Sequence, residues 1–269
     1  MRADNSLDPR QRRVLARSIE ERRRAALRRR QLGIVSAILI VLGLVIYLVM
    51  VQLRAETDSP AGQPRGVTEG GLGISIPSPA SVNRQSPTPD VKLLIYYDLD
   101  CEGCATFFAE VGPYLDGLRN SGTASIEHRP VAFLSPVRGD DYSARALNAA
   151  ACVLTTSGGS EFAAYVGSVF EHQPPTGMTG LKDDELSRLA ESQSGAQGVR
   201  ECIRDDRYEQ WVQRVTTAFT TEPYGGINTV PSVFVNGRLV SSPVTSGVAR
   251  RVSAADIQMA IDELGSTAN

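Results

Sequence analysis

Apolar and polar positions change period along the chain, and each change predicts an element. Gly33 to Leu53 carries no charged residue. About 20 residues of helix at about 1.5 Å each cross the roughly 30 Å hydrocarbon core of a bilayer, so this stretch predicts one N-terminal transmembrane helix. A cleaved signal peptide has a shorter apolar core and a small-residue cleavage site, and neither is evident. VKLLIYYDL, from Val91 to Leu99, is rich in β-formers and too short for a buried helix, so it predicts a central strand. Phe107, Phe108, Val111, Leu115 and Leu118 then fall at helical spacing. They predict a helix from Glu102 to about Asn120, kinked near Pro113. TASIEHRPVAFL, residues 123 to 134, follows as a second strand, and strand, helix, strand at this spacing make a βαβ unit with a parallel pair.

The pattern turns helical between Tyr142 and Phe219, where YSARALNAAACVL, EFAAYVGSVFEH, DDELSRLAESQ and DRYEQWVQRVTTAF each carry an apolar stripe. This predicts a helical insertion at about 142–219. GGINTVPSVFVNGRLV returns to strands, with Asn236 and Gly237 as a two-residue hairpin turn. A capping box, Ser253 with Asp256, opens a last helix running to about Leu264. With a short strand within Leu72 to Ile76, the fold class is α/β.

Charge separates the N-terminus from the remainder. Residues 1 to 30 hold eleven arginines and four acids, about +7, leaving about −9 elsewhere for a net −2. A basic arm can bind a phosphate backbone. Beside an uncharged span, positive-inside topology is the more economical explanation, and no nucleic-acid partner is expected. Residues 1–32 are then a basic cytoplasmic N-terminus and 33–53 the span, and residues 54–269 lie outside the cytoplasm, where disulfides persist. Residues 54–71, RAETDSPAGQPRGVTEGG, read as a flexible linker spanning roughly 20 to 25 Å. Residues 72–269 form the folded domain.

Four cysteines, Cys101, Cys104, Cys152 and Cys202, allow three pairings into two bridges. Cys101 falls where the central strand gives way to the helix, and Cys104 lies one turn in. Unpaired N–H groups and the helix dipole stabilise an anion there, which makes Cys101 the candidate nucleophile and the less exposed Cys104 the resolving thiol. The same spacing suits structural zinc, but Cys152 and Cys202 are fifty positions apart and neither His128 nor His172 forms a ligand-like pair with them. No metal is expected. An inert bridge is the other alternative. No phosphate-cradling glycine loop or serine triad is present, and no cofactor is expected. Pro231, in NTVPSVFVNG, is out of place in a strand unless it opens one in a special geometry, of which a cis bond is an example.

The strand entering CEGC, the helical insertion, and Thr229-Val230-Pro231 before a hairpin resemble the DsbA family of thioredoxin-fold thiol:disulfide oxidoreductases. The nearest likeness is to its membrane-anchored actinobacterial members, and YSARALNAAACV is similar to the start of the family's insertion. The resemblance runs from about Leu72 to Leu264. It implies a thioredoxin fold with an inserted α-helical domain, an attacking thiol at Cys101 and a resolving thiol at Cys104. It also implies a cis Pro231 facing them, with Val230 presenting its backbone to an extended substrate. A second pair in the insertion, Cys152 with Cys202, is implied as a structural disulfide; closing a loop of about 51 residues contributes up to roughly 4 kcal/mol. An electron relay between the two pairs is the competing view. The implied reaction introduces disulfides into reduced exported proteins, with reoxidation by a membrane partner of the DsbB or vitamin K epoxide reductase type.

The chain departs from the family at Glu102 and Gly103, where many relatives carry Pro and then His or another residue. A carboxylate beside Cys101, with Asp98 and Asp100 close in sequence, disfavours the thiolate and predicts a milder oxidant. Asp98 is also a candidate proton acceptor for Cys104, against the commoner surface acid at a strand end. Two rival functions remain: the same fold acting as a reductase or isomerase, and a non-catalytic extracytoplasmic binding module.

Overall fold

Alternation along Val91–Asp98 explains why this strand is central. Leu93, Ile95 and Tyr97 enter the main core, while Tyr96 enters a second cluster with Val131, Phe219 and Phe234. A strand that is apolar on both faces must be covered on both. The computed structural model describes residues 43, 62–76, 91–175, 178–195, 198–221, 229–240, 244–245, 248–249 and 251–267. The chain divides into two units, Met1–Asp58 and Ser59–Asn269, and the account below concerns the second. The basic segment at 1–32 and, apart from Gly43, the span expected at 33–53 lie outside the described residues. Among the described residues no helix is long and apolar enough to cross a membrane.

Five strands form one mixed sheet: β1 (Ile74–Ser75), β2 (Val91–Asp98), β3 (Ala124–Val131), β4 (Ser232–Val235) and β5 (Arg238–Leu239), in the order β1-β3-β2-β4-β5. The β2–β3 pair is parallel, with Val91 opposite Ala124 and Asp98 opposite Val131, and the other three pairings are antiparallel. Asn236 and Gly237 turn between β4 and β5 with φ of 46° and 82°, the left-handed conformation that a two-residue hairpin turn requires. Strands β6 (Val244–Thr245) and β7 (Val248–Ala249) pair separately.

Helix α1 (Glu102–Asn120) crosses from β2 to β3 and buries Cys104, Phe107, Val111 and Leu115. It continues through Pro113; Pro113 and Ala109, whose carbonyl loses its helical N–H partner to the proline, are both exposed. The insertion comprises α2 (Ser135–Arg138), α3 (Tyr142–Ser157), α4 (Gly159–Glu171), α5 (Asp183–Ser194), α6 (Val199–Arg204) and α7 (Glu209–Thr221). Helix α3, rich in alanine, is buried along most of its length and packs on α4, α5 and α6. Helix α7 covers the second face of the sheet, where Phe219 meets Tyr96 at a centroid distance of 5.0 Å. Such a pair contributes about 0.5–1.5 kcal/mol beyond its buried area. The capping box forms as the sequence predicts: Asp256 accepts from the Ser253 N–H at 2.8 Å, opening α8 (Ala254–Thr267).

One boundary is corrected. The linker expected over 54–71 does not extend to 71, because residues 62–71 are fastened to the domain. Trp211 Nε1 donates to the Gly71 carbonyl at 2.7 Å, the Arg65 N–H donates to Thr155 at 3.2 Å, and Arg214 donates to Gln63 at 3.0 Å. The buried indole needs a partner for its N–H, and this polar, glycine-rich stretch supplies a bare carbonyl.

Candidate active site

Cys101 is the N-cap of α1. Its backbone is extended, at φ −94° and ψ 108°, and its sulfur accepts the Cys104 N–H at 3.0 Å. A sulfur therefore occupies the place where a serine or aspartate oxygen commonly caps a helix, at the positive end of the dipole. Cys101 and Cys104 are joined as a disulfide. The two sulfurs are not equivalent to an incoming group: Cys101 is 7% exposed and Cys104 is 0%.

Val230 and Pro231, more than a hundred residues away in sequence, face this pair. Their peptide bond is cis, and the Val230 carbonyl oxygen lies 3.5 Å from Cys101 Sγ. The placement follows from β4, where Ser232 pairs with Tyr96 on β2, while the Ser232 hydroxyl donates to the Thr229 carbonyl at 2.7 Å. A Cβ at Gly103 would stand 3.8 Å from Cys101 Sγ and 3.9 Å from Pro231 Cδ. Position 103 thus looks onto both the sulfur and the proline. Glu102, in the first turn of α1, is exposed.

Asp98 is not the surface acid that a strand end suggests; it is 0% exposed. Its Oδ1 accepts from Ser143 Oγ at 2.5 Å and from the Asp100 N–H at 2.8 Å, and its Oδ2 accepts from the Leu134 N–H at 2.8 Å. Burial pushes its pKa up, against the hydrogen bonds, which pull it down. None of the hydrogen bonds described for Asp98 goes to Cys104. The carboxylate instead ties the end of β2 to the loop after β3 and to the first turn of α3. Gln173 adds a second tie, donating to the Leu99 carbonyl at 3.1 Å. Sequence reasoning missed Ser143 and Gln173: Ser143 lies in YSARALNAAACV, which reads only as the start of the insertion, Gln173 lies in no motif, and both reach the site only through the insertion.

Cys152 on α3 and Cys202 on α6 form a second disulfide, closing a separation of 50 residues inside the insertion. Both are buried. His128 lies in β3 and His172 follows α4, where its Nδ1 is 2.8 Å from the Ser168 carbonyl. Among the described residues no group of three His, Cys, Asp or Glu side chains could hold a metal ion.

A disulfide at a helix N-terminus, with Cys101 slightly exposed and Cys104 sealed, is arranged for thiol–disulfide exchange. A thiolate arriving at Cys101 displaces Cys104, and the Cys104 N–H and the helix end later stabilise the Cys101 thiolate as leaving group.

The thioredoxin family model matches residues 85–263. No curated protein sequence matches the chain. Among solved structures, the chain is similar to reduced DsbA from Mycobacterium tuberculosis, at 22% identity and a TM-score of 0.54 over 75% of this chain and 89% of that one. It is similar to MdbA, a thiol-disulfide oxidoreductase from Corynebacterium diphtheriae, at 20% identity and a TM-score of 0.57 over 70% and 93%. Oxidised BdbD from Bacillus subtilis matches at 18% identity and a TM-score of 0.56 over 77% and 97%. The fold is that of DsbA-like thiol-disulfide oxidoreductases, with a CxxC pair at Cys101 and Cys104.

Proposed function

The chain belongs to the thioredoxin family, and from that premise we propose that it is an extracytoplasmic thiol:disulfide oxidoreductase that introduces disulfides into exported proteins. One observation carries this reading: Cys101, capping α1 and 7% exposed, stands 3.5 Å from the Val230 carbonyl, while Cys104 behind it is sealed. In the forward reaction a substrate thiolate attacks Cys101 Sγ, forming a mixed disulfide and releasing Cys104 as a thiolate that takes up a proton. A second substrate thiolate attacks the substrate sulfur of that bond, and Cys101 leaves as a thiolate. Two electrons pass from two substrate thiols to the Cys101–Cys104 pair. Val230, beside the cis Pro231, offers backbone to an extended substrate segment, a contact indifferent to sequence.

The eleven arginines before an uncharged stretch favour a single-pass protein with residues 1–32 in the cytoplasm, 33–53 in the membrane and the catalytic domain outside. The reduced pair then passes its electrons to a membrane reoxidase of the DsbB or vitamin K epoxide reductase type. The test is to mix the oxidised full chain with a reduced, unfolded protein and to measure the reduction potential of Cys101–Cys104 in glutathione buffers. Substrate oxidation lost in Cys101→Ser, with a potential between about −120 and −180 mV, supports the reading. A potential near about −270 mV overturns it in favour of a reductase. Oxidation that persists in Cys101→Ser removes the assigned nucleophile.

A further inference from the structure

The cavity of about 250 Å³ between α1, α4 and the sheet takes no part in the reaction described above. Its interior is apolar: Phe108 and Leu115 line it from α1, Phe162, Val166 and Phe170 from α4, and Ile126 from β3. Phe108 lies nearly parallel to Phe170, at 24°, so the two helices meet ring to ring at the end nearer the cysteines. Beyond those rings position 112, one turn after Phe108 on α1, is glycine, and so is position 167 on α4. A Cβ at either would meet nothing within 4 Å, and neither has a positive φ. Glycine in a helix interior is about 1 kcal/mol less stable than alanine, and no packing here demands it. The two glycines leave an unfilled trough between the helices.

The trough has a charged end. Arg119 closes the α1 stripe that lines it, and helical side chains lean toward the N-terminus, which carries the guanidinium back over Leu115. That guanidinium donates once, to Asp116 at 3.0 Å, and its other N–H groups have no partner among the described residues. Asp116 is the outer member of the pair, 65% exposed against 21% for Arg119. The positive charge is felt at the cavity wall: burial first, and then Arg119, hold the pKa of the lining His128 down to about 4. Apolar rings at one end and a cation with donors to spare at the other call for an amphipathic anion, and a carboxylate matches the guanidinium fork. From Phe108 to Leu115 is about 10 Å of helix. A dry engineered cavity of about 150 Å³ accepts benzene, so this one has room for a ring on a short chain.

We propose that the trough between α1 and α4 is a binding site for a small arylalkyl monocarboxylate. The ring lies among Phe108, Phe162 and Phe170, the chain passes Gly112 and Gly167, and the carboxylate accepts from the Arg119 guanidinium.

The test uses the full chain and ligand-observed fluorine NMR with 3-(4-fluorophenyl)propanoate and the uncharged 3-(4-fluorophenyl)propan-1-ol, each also measured in the same detergent without protein so that partitioning is subtracted. The expected result is saturable binding of the propanoate, about tenfold tighter than the alcohol. In Gly112→Leu both are lost. In Arg119→Gln the propanoate falls to the level of the alcohol, which does not move. Arg119 and Asp116 form a surface pair that contributes little to stability, and leucine favours a helix over glycine, so both variants are expected to fold. The proposal is overturned if the propanoate shows no saturable binding, if it binds no tighter than the alcohol, if Arg119→Gln leaves its advantage intact, or if Gly112→Leu leaves its binding unchanged.

Discussion

Ser143 donates to Asp98 Oδ1 at 2.5 Å, with both residues buried, and this bond joins the first turn of the insertion to the strand that ends at the cysteine pair. Removing the carboxylate in Asp98→Ala strands the Ser143 hydroxyl and the N–H groups of Asp100 and Leu134. The expected loss is about 2–4 kcal/mol, against about 1–2 for Ser143→Ala. Urea unfolding of both single variants and the double variant checks this. A coupling of about 1 kcal/mol or more is expected, and simple additivity would show that the two groups do not act through each other.

Glu102 sits in the first turn of α1, beside the sulfur that caps it. In Glu102→Gln the Cys101 thiolate is expected to form at lower pH and the pair to become more oxidising. The change amounts to about 0.3–1 kcal/mol, since the carboxylate is exposed and screened. Thiolate absorbance against pH reads the first effect and glutathione equilibration the second; an unchanged titration would sink the idea that this residue moderates the oxidant.

The Cys152–Cys202 bridge ties α3 to α6. Replacing both cysteines with alanine is expected to lower stability by up to about 4 kcal/mol, the chain-entropy limit for a loop of this length. The potential and exchange rate of Cys101–Cys104 should not move. A changed potential would instead indicate that the insertion pair takes part in electron transfer.

His128 sets a pH dependence. Its folded pKa, about 4, lies below the ordinary 6.5, so the neutral ring contributes stability that is fully present above pH 6.5. That contribution is lost as pH falls through 6.5 toward 4, by roughly 3 kcal/mol in all. Urea midpoints measured between pH 7 and 4 should fall for the natural chain and flatten over this window in His128→Phe. An equal slope in both would assign the acid sensitivity to other groups.

Local chemistry was legible in the sequence. The apolar run at Val91, the helical spacing from Phe107, the Asn236-Gly237 turn and the Ser253 box each report on neighbours within a few residues, and the elements stand where they point. The juxtaposition of Cys101 with Val230 came from the family resemblance and not from periodicity. Asp98 shows the limit. Alternation and composition place an acid at a strand end, but its burial is decided by Ser143 and Leu134, which arrive from other parts of the chain. The docking of residues 62–71 depends likewise on where one buried indole finds its acceptor.

That docked segment also has a mechanical meaning. Within residues 62–71, Gln63, Arg65, Thr68 and Gly71 are fastened to Arg214, Thr155, Glu127 and Trp211. Tension applied at residue 62 therefore loads α7, the end of α3 and β3, and these anchors share it as shear. None of these four anchors involves Cys101 or the proline opposite it. In a single-molecule pulling experiment from residue 62, Trp211→Phe should release this strap at lower force while the cysteine pair stays in register.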